Sequence, residues 1–225
     1  MRFLVAMMNE YKGLLIEDNG VNNIIEIDEG CVFEKSRLII NGNDNVIFIG
    51  KSNIYHLLVI NLKGNNKKIN IERSSKNIRN LKISSIRGNN QSVAIGKNFS
   101  CGGIEIQMND GNESCIIGDD CLFSWGIKLR TSDGHSVIDL ETNRATNLPK
   151  DVTIGDRVWV GEDAYFNKGS VVGNDCVVGS RTIVTKSFTT NNIVLAGYPA
   201  KIVKKNIKWD RRMPYEYNEN VARTS

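Results

Sequence analysis

The stretch IGDRVW, VGEDAY, FNKGSV, VGNDCV, VGSRTI, residues 154–183, decides the fold of this chain. Each row of six residues opens with a branched aliphatic residue or Phe, and four of the five rows place Gly second. A step of six matches neither the 3.6-residue period of an amphipathic helix nor the simple alternation of a strand. It fits one short strand and one tight turn, with the aliphatic residue inward and Gly where the backbone turns or approaches a neighbour closely. Three rows then close a triangular coil of about 18 residues, and such coils stack through parallel ladders about 4.8 Å apart.

The same step recurs upstream and then fades. IGDDCL, FSWGIK and LRTSDG follow from Ile117, and IGKNFS and CGGIEI follow from Ile95. Before residue 90, segments such as EIDEGCVFEKSRLIINGNDNVIFIG still alternate apolar and polar residues, with Asn–Gly turns between them. We therefore predict an all-β protein, a parallel β-helix with a protruding loop and a short C-terminal helix or tail.

The predicted organisation has four parts: an N-terminal segment over residues 1–20, irregular coils over 21–90, regular hexapeptide coils over 91–188 with a loop over 130–153, and a C-terminal segment over 189–225. A separate small β domain is the alternative for the irregular coils. In the last part, KNIKWDRR predicts one short helix that ends before Pro214. Disorder after about residue 215 is the alternative there.

Composition excludes several classes of function. The net charge of +4 is spread along the chain, with no basic run interleaved with aromatic residues, so nucleic-acid binding has no support. The five cysteines form no CxxC pair, which indicates unpaired thiols in a reducing, cytoplasmic setting. No stretch approaches the roughly 20 apolar residues of a membrane span. The opening MRFLVAMMNEYKG lacks the length and cleavage site of a signal peptide.

The stretch TSDGHSVIDL, residues 131–140, interrupts the repeat and holds His135, one of only two histidines. Leu129 opens one regular row and Ile154 opens another, so the residues between them leave the coil and return. Such an excursion costs only a few kcal/mol of loop closure, and loops on a rigid scaffold often carry chemistry. A neutral imidazole accepts a proton. We predict that His135 is a general base; a histidine that only hydrogen-bonds its own backbone is the alternative.

The regular rows, followed by VGSRTIVTKSFTTNNIVLAGYPAKIVKK over residues 178–205, resemble the left-handed β-helix acyltransferases with hexapeptide repeats. Within that family, DGHSVIDLETNRATNLPKDVTIGDRVWVG over residues 133–161 resembles the bacterial O-acetyltransferases of capsule, O-antigen and polysialic acid. Their shared features are a loop histidine, an Asn-x-x-Lys approach and a row like IGDRVWVG. The resemblance implies left-handed coils, a homotrimer with active sites between neighbouring helices, and transfer of an acetyl group from acetyl-CoA to a sugar hydroxyl.

The resemblance also implies roles for individual residues. Trp159 ends a row, and its outward indole suits the wall of a sugar or pantetheine site, or packing at a subunit contact. In the family, a Trp at this point lies across the groove from the loop histidine, so the resemblance implies that Trp159 is a catalytic residue together with His135. Positions that match CoA contacts in the family are Gly161, Glu162, Ser180, Arg181, Thr185, Lys186, Lys201 and Lys204. Arg181 is a departure, because the family usually has Gly there.

Two residues are assigned to the acceptor. Asp110 aligns loosely with an acceptor-binding carboxylate in sugar acetyltransferases, with a plain Asp–Gly turn as the alternative. Lys150 belongs to the Asn-x-x-Lys approach. The carboxylates that lie near His135 in sequence and could orient its imidazole, or remain solvated loop charges, are Asp133, Asp139 and Glu141.

Three other functions compete with this interpretation. A β-helical zinc enzyme needs three histidine ligands, and this chain has two histidines. An N-acyltransferase for an amino sugar would use the same base and groove, so the sequence barely separates the two. A non-catalytic β-helical scaffold has no reason to interrupt its coils around His135.

Overall fold

The computed structural model describes residues 11–224, with side chains described as far as residue 219. The first ten residues, which hold most of the apolar N-terminal patch, lie outside that range. Each coil of the described chain contributes three short strands. The first five coils are β1 (Leu14–Asp18), β2 (Ile24–Ile27) and β3 (Phe33–Glu34); β4 (Ser36–Asn41), β5 (Val46–Ile49) and β6 (Ile54–His56); β7 (Val59–Lys63), β8 (Lys68–Ile71) and β9 (Asn77–Arg79); β10 (Leu81–Ser85), β11 (Ser92–Ile95) and β12 (Ser100–Cys101); β13 (Ile104–Met108), β14 (Ser114–Ile117) and β15 (Leu122–Phe123).

Three further coils follow, and the first of them carries the loop. They consist of β16 (Ile127–Arg130), the loop hairpin β17 (Ile138–Asp139) and β18 (Arg144–Ala145), β19 (Val152–Ile154) and β20 (Trp159–Val160); β21 (Tyr165–Phe166), β22 (Val171–Val172) and β23 (Val177–Val178); β24 (Ile183–Val184), β25 (Ser187–Phe188) and β26 (Ile193–Ala196). The chain then adds β27 (Lys201–Lys205), which is antiparallel to β26, and ends in α1 (Pro214–Thr224).

The strands stack into three long sheets. The first strand of every coil belongs to sheet A, the second to sheet B and the third to sheet C, and successive coils pair in parallel. This confirms the predicted β-helix. The strands before residue 90 lie in the same three sheets as the later ones, so the irregular part of the sequence continues the same solenoid. The turns between the sheets form three edges, here called the A–B, B–C and C–A corners.

Coil length differs between the two halves. In sheet A, Leu38 pairs with Ile60 in the next coil, whereas in sheet B, after the loop, Ile154 pairs with Val172. The second pair is closer in sequence, and its spacing is that of three rows of six. The coils before the loop are longer than the predicted hexapeptide coils because their sheet A strands have four to six residues, against two in β21. Regular hexapeptide coils therefore begin only at the stretch from residue 154.

The core is a column of inward side chains. In sheet A, Leu38, Ile60, Ile83, Ile106 and Leu129 are all fully buried, each against the residue one coil away. Burying one such side chain stabilises the fold by about 1.5–3 kcal/mol. A single coil exposes this row on both sides, so the stack must be several coils deep.

Asparagine side chains join the coils at the A–B corner. Asn65 Oδ1 accepts a hydrogen bond from the Asn43 amide at 2.8 Å, and Asn89 Oδ1 accepts one from the Asn65 amide at 2.8 Å. The neighbouring Asn66 and Asn90 adopt positive φ values of 56° and 60°, which Asn tolerates better than most residues. Many of the asparagines before residue 113 thus stand at one corner, where they join successive coils.

The C-terminal prediction is wrong in its position. KNIKWDRR is not helical, and α1 begins at Pro214 rather than ending before it. Proline suits the first helical position because its missing N–H would have had no partner there. Glu216 Oε2 accepts the Met213 amide hydrogen bond at 3.0 Å, as in a capping box. Within the described residues, no helix has the length and apolarity needed to cross a membrane.

Candidate active site

The predicted site residues lie in two groups on different parts of the coil. The first group is at the A–B corner, and its members are Asp110, His135, Lys150, Thr185 and Lys186. The second group lies on sheet C or at the C–A corner, and its members are Trp159, Gly161, Glu162, Ser180, Arg181, Lys201 and Lys204. A single chain therefore presents two separate surfaces of candidate residues.

His135 stands in the loop between β16 and β19, and it is exposed. The root of the loop is closed by the Lys150 amide, which donates to the Thr131 carbonyl at 2.9 Å. The His135 carbonyl accepts a hydrogen bond from Asn147 Nδ2 at 2.8 Å, and Asn147 Oδ1 accepts one from the Val137 amide at 2.7 Å. Asn147 thus joins the returning arm of the loop to the segment that carries the histidine.

The nearby carboxylates are engaged with other partners. Lys168 Nζ, at 2.5 Å, and Asn147 Nδ2, at 2.7 Å, both donate to Asp133 Oδ2, and these bonds hold the pKa of Asp133 below its ordinary value. Asp139 Oδ1 accepts from the Thr142 and Glu141 amides, which lowers the pKa of Asp139 and closes a local turn. Within the described range, the His135 imidazole has no hydrogen-bond partner. An orienting role for any of these carboxylates stays a prediction.

Asp110 lies one coil below the loop. Its Oδ2 accepts a hydrogen bond from Ser132 Oγ at 3.3 Å, and Ser132 Oγ accepts one from the Gly134 amide at 3.0 Å. The side chain of Asp110 is exposed. The structure therefore brings Asp110 to the loop, two bonds away from the residue that precedes His135.

Trp159 faces outward from β20, 43% exposed, while Val160 fills the core. The C-terminal segment covers one side of it: the Trp159 and Trp209 rings lie 6.3 Å apart at 46°. Trp209 Nε1 donates to the Arg157 carbonyl at 2.5 Å. Arg211 donates to Ser100 Oγ at 2.9 Å and to the Cys121 carbonyl at 3.2 Å. The segment between β27 and α1 is thus bound to the outer face of sheet C.

A trough of about 410 Å³ extends along sheet C beside Trp159. Two indoles and three cations line it, and no carboxylate is among its lining residues. The indoles belong to Trp125 and Trp159, and the cations are Lys76, Arg79 and Arg211. Indole faces suit sugar rings, and Arg and Lys suit carboxylates or phosphates. The trough therefore has the chemistry of a site for an anionic sugar.

The candidate donor residues at the C–A corner are close-packed. A Cβ at Gly161 would lie 2.6 Å from the Ser180 amide nitrogen, so the stacking of coils requires Gly there. Arg181 has a φ of 56°, a conformation that glycine adopts without strain, which explains why a glycine suits this position. The Arg181 amide donates to the Glu162 carbonyl at 2.7 Å, and the Arg181 side chain is 86% exposed.

The remaining donor candidates lie at the end of the solenoid. After Val184 the next inward residue is Phe188, four positions on rather than six, so the last A–B corner shrinks to Thr185 and Lys186, both exposed. Lys201 pairs with Ala196 and Lys204 with Val194 in the antiparallel ladder. Both lysines are exposed at the edge of sheet C.

Sequence reasoning missed several residues around these surfaces. Lys168 occupies a turn position of FNKGSV where most rows are polar, so nothing in the pattern marks it. Asn147 belongs to the Asn-x-x-Lys approach, but its hydrogen bonds cannot be read from that motif. Trp209 and Arg211 give one usable signal, an aromatic residue and a cation outside the repeat.

The cysteines and acids form no evident ligand set. All five cysteines carry free thiols, and burial raises the pKa of Cys115 to about 12. In the part of the chain that the structure describes, no three His, Cys, Asp or Glu side chains are grouped as metal ligands.

The chain is similar in sequence and in fold to several known proteins. The family model "Bacterial transferase hexapeptide (six repeats)" matches residues 151–186. The polysialic acid O-acetyltransferase of Neisseria meningitidis is 35% identical over 199 residues, which cover 88% of this chain and 91% of the relative. The solved structure of the polysialic acid O-acetyltransferase OatWY aligns with a TM-score of 0.79 at 32% identity, over 93% of this chain and 99% of that one. The structure of the polySia specific acetyltransferase NeuO aligns with a TM-score of 0.76 at 26% identity, over 95% of this chain and all of that one.

Fold and repeat define the class as β-helical acyltransferases with hexapeptide repeats. Within that class, the chain belongs to the polysialic acid O-acetyltransferase family.

Proposed function

We propose that this enzyme transfers an acetyl group from acetyl-CoA to a hydroxyl of a bacterial surface polysaccharide, and that the acceptor is polysialic acid. The trough beside Trp159 carries the proposal, because its three cations and two indoles suit a chain of sugars that each bear a carboxylate. The relatives named above act on the same polymer according to their names.

His135 acts as the general base. Its imidazole takes the proton of the sugar hydroxyl while the hydroxyl oxygen attacks the thioester carbon of acetyl-CoA. The tetrahedral intermediate then collapses, the C–S bond breaks, and the CoA thiolate takes the proton from the imidazolium. A positioned base of this kind contributes about 10²–10⁴-fold in rate.

The donor lies along the last coils. Gly161 and Ser180 leave a narrow surface at the C–A corner where pantetheine passes, and Glu162 and Arg181 border it. Lys201 and Lys204, exposed on β27, and Lys186 with Thr185 supply contacts to the phosphates. Asp110 and Lys150, beside the loop, contact the acceptor.

The working enzyme is a homotrimer in the cytoplasm. The loop and the Trp159 surface lie on different parts of one coil, so a neighbouring chain brings its sheet C to this chain's loop. Such a heterologous contact closes into a ring when the rotation permits. Free thiols throughout fit a reducing compartment.

The experiment is thiol release from acetyl-CoA with three acceptors: oligosialic acid, a neutral oligosaccharide and an aminosugar nucleotide. We expect release with oligosialic acid, loss of at least about 100-fold in kcat for His135→Ala, and near wild-type kcat for the control His56→Gln. Full activity of His135→Ala would refute the role of His135 as general base. Faster turnover of the aminosugar would favour the N-acyltransferase instead.

A further inference from the structure

The loop that carries His135 is a long excursion with little internal structure. Between Thr131 and Lys150 it has only the two-residue hairpin strands β17 and β18, whose pairs are Ile138 with Ala145 and Asp139 with Arg144. Loops of this length without much secondary structure of their own usually move. A base works only when it is held at the reacting hydroxyl, so something outside the hairpin must restrain the loop.

The root of the loop rests on a buried carboxylate. Glu113 is 3% exposed, and its Oε1 accepts hydrogen bonds from the Asp110 amide at 3.0 Å, Gln91 Nε2 at 3.1 Å and Thr131 Oγ1 at 3.3 Å. This contact holds the first residue of the excursion. It does not reach the segment around His135, further along the outgoing arm.

Lys168 reaches that segment from the next coil. It lies in the turn after β21, its side chain is only 18% exposed, and its Nζ donates to Asp133 Oδ2 at 2.5 Å and to the Asn147 carbonyl at 2.6 Å. Asp133 is on the outgoing arm of the loop and Asn147 is on the returning arm. One ammonium therefore joins both arms to the rigid solenoid.

The contacts around Lys168 end at the backbone of His135. Asn147 Nδ2 donates both to Asp133 Oδ2 at 2.7 Å and to the His135 carbonyl at 2.8 Å. The bond between Lys168 and Asp133 is charge-assisted and half-shielded from solvent, which makes it stronger than a neutral surface contact. Lys168, Asp133 and Asn147 are called the loop clamp below.

We propose that Lys168 is a positioning residue for acetyl transfer: through the loop clamp it holds the backbone of His135 at the distance that proton transfer requires. The proposal rests on the role of His135 as general base. It assigns no contact with substrate to Lys168. Its loss therefore lowers kcat, while the donor, which binds at other residues, keeps its KM.

The variants isolate the ammonium. Lys168→Met keeps the length and removes the charge, Lys168→Arg restores a cation, and Asp133→Asn weakens the same bond from the other side. The matched control is Lys82→Met, which removes the Lys82–Glu105 ion pair of 2.8 Å, also on the coil surface and outside the loop. For each variant, kcat and KM are measured together with hydrogen exchange over residues 131–150.

We expect Lys168→Met to lower kcat by about 10- to 100-fold, to leave KM for acetyl-CoA within about twofold, and to speed exchange in the loop. Asp133→Asn should also lower kcat and speed exchange in the loop. Lys168→Arg should recover part of kcat, and Lys82→Met should match the wild type. If Lys168→Met does not fold, Lys168→Arg and Asp133→Asn carry the test.

Wild-type kcat and exchange in Lys168→Met or Asp133→Asn, with His135→Ala inactive, would overturn the clamp and leave the proposed function standing. A rise in KM for acetyl-CoA with kcat unchanged would also overturn it, since that pattern indicates a donor contact. Undiminished acetyl transfer by His135→Ala would refute the role of His135 as general base, and the positioning role of Lys168 would fall with it.

Discussion

At the scale of single residues, the glycines in second position of the rows are explained by close approach. A Cβ on Gly118 would lie 2.6 Å from the Gly155 carbonyl carbon, and one on Gly96 would lie 2.6 Å from that of Gly118. Neither glycine has a positive φ, so conformational freedom is not the reason. Each coil instead passes so near the next that no side chain fits between them.

Gly118→Ala should therefore destabilise the protein by about 2–3 kcal/mol, because a backbone neighbour must move. Gly111→Ala is the control: its nearest neighbour would be 3.6 Å from the new Cβ, so its free energy of unfolding should change by less than about 0.5 kcal/mol. Urea unfolding measures both. Equal effects of the two substitutions would contradict the close-approach explanation.

At the scale of elements, the A–B corner contains a buried polar column beneath the loop. Lys67 is fully buried, and its Nζ donates to Gln91 Oε1 at 2.6 Å, to the Ser85 carbonyl at 2.8 Å and to the Arg87 carbonyl at 3.2 Å. Gln91 Nε2 in turn donates a hydrogen bond to Glu113, the carboxylate under the loop root. These irregular coils therefore have buried polar side chains at the A–B corner, which the pattern of inward aliphatic residues does not predict.

Burial lowers the pKa of Lys67 to about 8 from an ordinary 10.5, against the opposing attraction of Glu113. Between these two values the unfolded chain binds more protons at Lys67 than the folded chain does. The free energy of unfolding should therefore gain a positive slope with pH from about 8 to 10.5.

The slope is measured by urea unfolding at pH 7, 8, 9 and 10 in the wild type and in Lys67→Met, which lacks the titrating group. We expect the difference between the two curves to change across this window and to stay constant below it. Parallel curves from pH 7 to 10 would show that Lys67 keeps its ordinary pKa.

At the scale of the whole molecule, one chain carries the loop at the A–B corner and the Trp159 trough on sheet C. If neighbouring chains share each site, His135 and Trp159 of one site come from different chains. Inactive variants should then complement each other. This arrangement follows from the proposed trimer.

Co-expressing His135→Ala and Trp159→Ala chains tests it. In randomly mixed trimers about a quarter of the shared sites would have both native residues, so activity should rise well above that of either variant alone. Size-exclusion chromatography checks that the mixture is trimeric. Activity equal to the mean of the two variants would show that each site lies within one chain.

Much of the fold could be predicted because its rule is local. A branched residue every six positions with Gly beside it determines the turn of each coil, wherever that coil lies. The coil length before residue 130 could not be predicted, because the longer sheet A strands of these coils lead into turns that are stabilised by asparagines one coil away. The helix at Pro214 was misplaced because the segment before it is held by hydrogen bonds from Trp209 to Arg157 and from Arg211 to Ser100, which are distant in sequence.

For the site, the sequence by itself determined the interrupted repeat, the exposed loop histidine and the outward indole, since each depends on position within a row. Only the tertiary structure decided that Lys168 meets Asp133, that Glu113 lies under the loop root, and that the loop and Trp159 lie on different parts of the coil. The physical reason is that stacking joins residues one coil apart in space, whatever their distance in sequence. The loop adds its whole length to one coil, so Cys115 pairs with Val152 in the same ladder that pairs Val93 with Cys115 and Ile154 with Val172.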